Sequence, residues 1–80
     1  MTLTALYNKL SRHGLNVERI QLQNVAGVAG IRDALRVCHN YIGPYPTRDA
    51  LTAYETAASI ARKAGFTAQQ RGHYTATYIF

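Results

Sequence analysis

The chain has 80 residues, nearly half of them apolar, and a formal charge of +5 from two lysines and seven arginines against four acids. That length allows one compact domain over residues 1–80, burying only roughly 60–65% of the surface its unfolded form exposes. No apolar run is long enough to span a bilayer, no secretory leader opens the chain, and the lone Cys38 excludes an internal disulfide, so a cytoplasmic setting is expected.

In chain order, Thr4–Arg12 reads as a short helix, with Leu3, Leu6, Tyr7 and Leu10 on one side and Asn8, Lys9 and Arg12 on the other. Thr2 or Thr4 can cap it and Gly14 ends it. Residues Asn16–Asn24 alternate, Glu18, Ile20 and Leu22 against Arg19, Gln21 and Gln23, which predicts a half-buried strand. After the glycine-punctuated Val25–Gly30, a helical period returns. Ile31, Ala34, Leu35, Cys38, Tyr41 and Ile42 share a side opposite Arg32, Asp33, Arg36, His39 and Asn40, predicting a helix that Gly43-Pro44-Tyr45-Pro46 stops.

Thr47–Ala64 carries the clearest helical signal. Ala50, Leu51, Tyr54, Ala57, Ala58, Ala61 and Ala64 lie on one side, and Arg48, Thr52, Glu55, Ser59, Arg62 and Lys63 on the other. Thr47 can cap its free amides, Asp49 sits in the positive first turn, and Arg62 and Lys63 sit in the negative last turn before Gly65. The tetrapeptide Arg-Asp-Ala-Leu occurs at 32–35 and again at 48–51, both at predicted helix starts.

Beyond Gly65 the period becomes two. A three-residue loop Gln70-Arg71-Gly72 would pair Gln69 with His73 and keep like faces together in a hairpin. The C-terminal strand would then pair on its other side with Asn16–Asn24. The predicted fold is α+β, in the order α-β-α-α-β-β, with a three-stranded antiparallel sheet covered on one face by helices. Ile20, Leu22, Phe66, Tyr74, Ala76 and Tyr78 are expected beneath the helices. Arg19, Gln21, Gln23, Thr67, Gln69, Arg71, His73, Thr75 and Thr77 are expected on an open face.

The residue types suited to chemistry do not form a motif. His39 falls on the polar side of its predicted helix, His13 at a helix end, and Cys38 on an apolar side as a small hydrophobe. Four scattered acids and one cysteine give no metal-ligand spacing, so no metal or cofactor is expected. The string GFTAQQRGH, Gly65–His73, resembles a segment of HicA-type toxins in which a glycine–aromatic pair opens a strand and a Gly-Ser-His turn carries a catalytic histidine. Gly65, Phe66 and Gly72 match, while His73 stands one residue early, where the serine belongs, and the hairpin here ends the chain. The resemblance implies a small ribonuclease with His73 as the proton-transfer group beside Arg71. Gly27–Gly30, GVAG, is similar in outline to the GxxG loop of KH domains, which implies a phosphate at the start of the following helix beside Arg32.

Three functions remain in view. The first is a non-enzymatic protein-binding module, an inhibitor or adaptor of the kind found in phages and mobile elements, with anti-CRISPR proteins an analogy of class. The second is an RNA- or DNA-binding domain using the basic open face, and the third is the ribonuclease. Arg19, Gln21, Gln23, Arg71, His73 and Arg32 are the expected binding residues, toward an acidic protein or nucleic acid. The strands Asn16–Asn24 and Phe66–Gln70 would be sheet edges without proline or lysine, which invites edge-to-edge homodimerisation or an added partner strand.

Overall fold

A computed structural model of the protein describes residues 1–23, 29–39, 47–72 and 74–80. Among these described residues, two helices and four strands follow one another as Leu3–Arg12 (α1), Asn16–Gln23 (β1), Ile31–Cys38 (β2), Arg48–Lys63 (α2), Ala68–Arg71 (β3) and Ala76–Ile79 (β4). The strands form one antiparallel sheet in the order β1-β2-β4-β3. The domain is α+β, but the three-stranded sheet and the α-β-α-α-β-β order are overturned.

Both helices begin as their sequences dictate. Thr2 and Thr47 accept hydrogen bonds from the amides of Ala5 and Ala50, each at 3.1 Å, satisfying donors that a first turn leaves free. Leu6 and Leu10 of α1 and Ala57, Ala58 and Ala61 of α2 are buried against the sheet. Alanine on this side of α2 brings its backbone close to the strands. The polar side of α2 is exposed as expected, whereas Tyr54 is only half-buried, its ring edge-on to Tyr74 with centroids 5.1 Å apart.

The predicted helix from Ile31 is a strand. Arg32-Asp33-Ala34-Leu35 is extended, while the identical Arg48-Asp49-Ala50-Leu51 is helical. The second copy follows a capping threonine. The first follows Gly30-Ile31 and runs through Arg36 into Val37 and Cys38 between two strands, so tertiary pairing overrides a weak helical preference. Leu35 and Val37 alternate into the core and are fully buried. Asn40 and the stop at Gly43–Pro46 lie outside the described residues.

This central strand changes the neighbours and inverts the sheet faces. β4 is internal, as expected, but pairs with β2 (Val37↔Thr77, Leu35↔Ile79) rather than with β1. Val17 pairs with Val37, so β1 turns Val17, Arg19 and Gln21 toward the helix side, and Ile20 and Leu22 fall on the uncovered side, both half-buried. In the hairpin, Ala68 pairs with Ile79, Gln69 with Tyr78 and Arg71 with Ala76, so the connection between Arg71 and Ala76 is longer than expected and the Gln69–His73 register is wrong. The longer loop shifts parity by one. It buries Ala68, Thr77 and Ile79 and leaves Gln69, Arg71, Ala76 and Tyr78 on the face without helices, among the described residues.

Local bonds hold that loop. The Tyr74 amide donates to Gln70 Oε1 at 2.9 Å and the Thr75 hydroxyl to the Arg71 carbonyl at 3.1 Å, with Tyr74 at φ +70°. At Gly72, φ +62°, a Cβ would sit 2.2 Å from Thr75 Oγ1, so no larger residue fits without displacing that side chain. The buried hydroxyl of Thr77 is satisfied by His39, whose Nε2 lies 2.6 Å from Thr77 Oγ1. His39 is therefore a half-buried side chain at the end of β2, not a solvated histidine on a helix.

Candidate docking edge and cleft

Backbone geometry separates the two sheet edges. The His39 amide donates to its register partner Thr75, so the odd-numbered residues of β2 bond β4 and the even-numbered ones bond β1. On β1 the amides and carbonyls of Val17, Arg19, Gln21 and Gln23 consequently point away from the sheet. No described group bonds to them. At the other edge, Thr67 and Phe80 exchange hydrogen bonds of 2.7 and 3.0 Å, which turns Ala68 and Gln70 outward. There the Ala68 carbonyl accepts from Arg62 Nη2 at 3.1 Å. A guanidinium from α2 thus occupies part of the short β3 edge, and the eight-residue β1 edge is left unblocked.

Side chains along β1 are arranged for contact at its rim. Arg19 donates to Thr4 Oγ1, with its guanidinium carbon 5.6 Å from the Tyr7 ring centroid, which fixes it over the end of α1. Gln21 reaches Asp33 Oδ1 at 3.5 Å, and Gln23 is exposed beside Ile31, which is 64% exposed. Arg19, Gln21 and Gln23 are therefore brought together. Arg71 is not with them: it lies on the far edge and the opposite face, stacked 4.6 Å over Tyr78. His73 lies outside the described residues. The single expected surface joining Arg19 to Arg71 does not exist.

The uncovered face has its own cross-strand row, Glu18, Arg36, Tyr78 and Gln69, one residue from each strand. Arg36 pairs with Glu18. Tyr78 first and then Glu18 hold its guanidinium charged and raise its pKa. Cys38 is half-buried on this face rather than on a helix.

Beyond the open end of the sheet lies a cleft of about 440 Å³ lined by Leu3, Arg32, Asp33, Gly65, Phe66 and Phe80. A second depression of about 200 Å³, lined by Leu3, Thr4, Arg19, Ile20, Asp33 and Ala34, adjoins it through Leu3 and Asp33 and reaches β1. Of the expected site residues, Arg32 and Arg19 belong here. Leu3, Asp33, Phe66 and Phe80 are not among the expected site residues, because the cleft forms only where four separate segments meet. Gly30, the last residue of the GVAG loop, leads into a strand, so no helix N-terminus stands beside Arg32 to receive a phosphate. Among the described residues no group of three or more His, Cys, Asp and Glu side chains comes together to hold a metal, and no helix is long and apolar enough to cross a membrane.

No protein-family model, curated protein or solved structure matches the chain.

Proposed function

We propose that the chain is a protein-binding module, an inhibitor or adaptor without chemistry of its own, that docks an acidic protein in a cytoplasmic setting by adding one of the partner's strands to β1. The observation that carries this reading is the row of four outward-facing amide–carbonyl pairs at Val17, Arg19, Gln21 and Gln23, beside an opposite edge that Arg62 partly occupies. Main-chain bonds along such an edge supply affinity, and alternate side chains supply selectivity. Exposed Ile31 offers apolar contact, Gln21 and Gln23 hydrogen bonds, and Arg19 a positive rim suited to an acidic partner. A second copy of the chain is the simplest alternative strand.

Replacing Gln21 by proline removes an amide that points out of the sheet, so the monomer should stay folded while strand addition is blocked. The test is light scattering together with affinity capture of crosslinked partners, on wild type and Gln21→Pro, with circular dichroism to verify folding. Loss of the partner or of self-association in the folded variant supports the reading. A folded variant that keeps its assembly eliminates the β1 edge. Fluorescence anisotropy with single-stranded and duplex oligonucleotides at low salt separates the nucleic-acid alternative, for which backbone attraction would be strongest.

A further inference from the structure

The cleft at the end of the sheet pairs an apolar floor with a cation that no described residue bonds. Leu3, Phe66 and Phe80 are each half-buried and face one space of about 440 Å³, within the range of pockets that take small ligands or single anchoring side chains. Arg32 lies at its rim, exposed, with no hydrogen bond or ion pair among the described residues. The other sheet arginines are engaged: Arg19 with Thr4 and Tyr7, Arg36 with Glu18, and Arg71 on Tyr78. Among the described lining residues Asp33 supplies the opposing charge, and Gln21 Nε2 lies 3.5 Å from it on the helix side of β2.

We infer that this cleft is an anchor pocket for an aromatic side chain flanked by carboxylates on an acidic peptide segment, with the ring among Leu3, Phe66 and Phe80 and a neighbouring carboxylate on Arg32. The inference rests on the proposed function only for the protein nature of the ligand; it does not depend on the β1 edge. An apolar floor recognises the ring by burial, which an alanine in its place forfeits. The rim then selects charge: Arg32 attracts an anion and Asp33 repels it. Because both groups are exposed, each effect is small, and their opposite signs are what make them diagnostic.

Three capped tripeptides serve as probes: Ac-Glu-Phe-Glu-NH2, Ac-Glu-Ala-Glu-NH2 and Ac-Gln-Phe-Gln-NH2. They are titrated into isotope-labelled protein and followed by amide chemical shifts. The acidic phenylalanine peptide should move the amides of Leu3, Arg32, Asp33, Gly65, Phe66 and Phe80. The alanine peptide should leave them unmoved. Replacing glutamate by glutamine should weaken binding about two- to fivefold, the scale of an exposed ion pair. Arg32→Gln should abolish the preference for the acidic peptide over its glutamine counterpart, while Asp33→Asn should enlarge it. Both changes are at exposed positions, and each variant's spectrum reports directly whether it is folded. Equal binding of the alanine peptide, shifts confined to other residues, or an acidic preference that survives Arg32→Gln would each overturn the inference. A tripeptide is too short to extend the sheet, so failure of the edge reading would show only in the Gln21→Pro experiment.

Discussion

The two copies of Arg-Asp-Ala-Leu allow the fold to be tested within one molecule. Leu35 ends the extended copy and is fully buried in the core, whereas Leu51 ends the helical copy and is half-buried near the start of α2. Leu35→Ala removes a side chain worth about 1.5–3 kcal/mol in burial alone, and with the cavity left behind the cost should reach about 3–5 kcal/mol. Leu51 is already partly exposed in the folded state, so Leu51→Ala should cost about 1–2 kcal/mol, less than a fully buried leucine. A domain of this length has a total stability of roughly 4–12 kcal/mol, so the first change removes about a quarter of it or more. Urea unfolding followed by circular dichroism gives both values, with similar denaturant slopes confirming that the same transition is compared. Were Ile31–Cys38 a helix like its counterpart, the two leucines would occupy equivalent positions and cost similar amounts. Equal losses would refute the strand and the inverted sheet face together.

Tyr54→Ala should cost about 1–3 kcal/mol, through partial burial and the edge-on contact with Tyr74, and not the larger loss of a fully buried aromatic; Arg48→Ala on the exposed side should change a thermal melt little. His39 carries a pH dependence, because burial lowers its pKa below the ordinary value of 6.5 and its buried Nδ1 has no hydrogen-bond partner among the described residues. The unfolded chain then binds the proton more readily than the folded one, so this stabilisation is fully present above the unfolded value and is lost as pH falls through the lowered folded value. Melting temperatures measured from about pH 8 down to about pH 5 should decline, and His39→Gln should flatten the decline, since carboxylates titrate mostly below that window. An unchanged slope in that variant would remove His39 from the account.

What was legible in the sequence was what depends on neighbours close in the chain. α2 combined a continuous apolar side, a capping threonine, an acid in the first turn and bases in the last, and its observed bounds differ from the expected ones by a single residue at each end. β1 was legible because its alternation is local. The identity of its buried side was not: Val17 and Ile20 are both apolar and point opposite ways, and only the pairing of Val17 with Val37 decides between them. β2 escaped because apolar residues at 31, 34, 35 and 38 satisfy a helical spacing by coincidence, while the strand face uses 35 and 37. Once that segment becomes the partner of β4, the β3–β4 hairpin has to turn Ile79 inward, and a one-residue change in loop parity follows.

Charge gave a similarly partial view of the site. An excess of arginine is consistent with an acidic ligand anywhere on the surface, but the positions of these arginines assign most of them to the fold. Arg62 crosses from α2 to the Ala68 carbonyl, where it both bonds an outward-facing acceptor and makes the β3 edge a poorer template for another strand. Arg19, Arg36 and Arg71 each lie against a tyrosine, a threonine or a glutamate, so part of their positive charge is committed within the molecule. Their separation onto two faces removes the continuous cationic surface that phosphate-backbone tracking would need. Among the described residues, Arg32 is the sheet arginine with no hydrogen bond or ion pair, and it lines the cleft. A local cation beside an apolar hollow, a short distance from an open strand edge, therefore supports the proposed protein-binding reading.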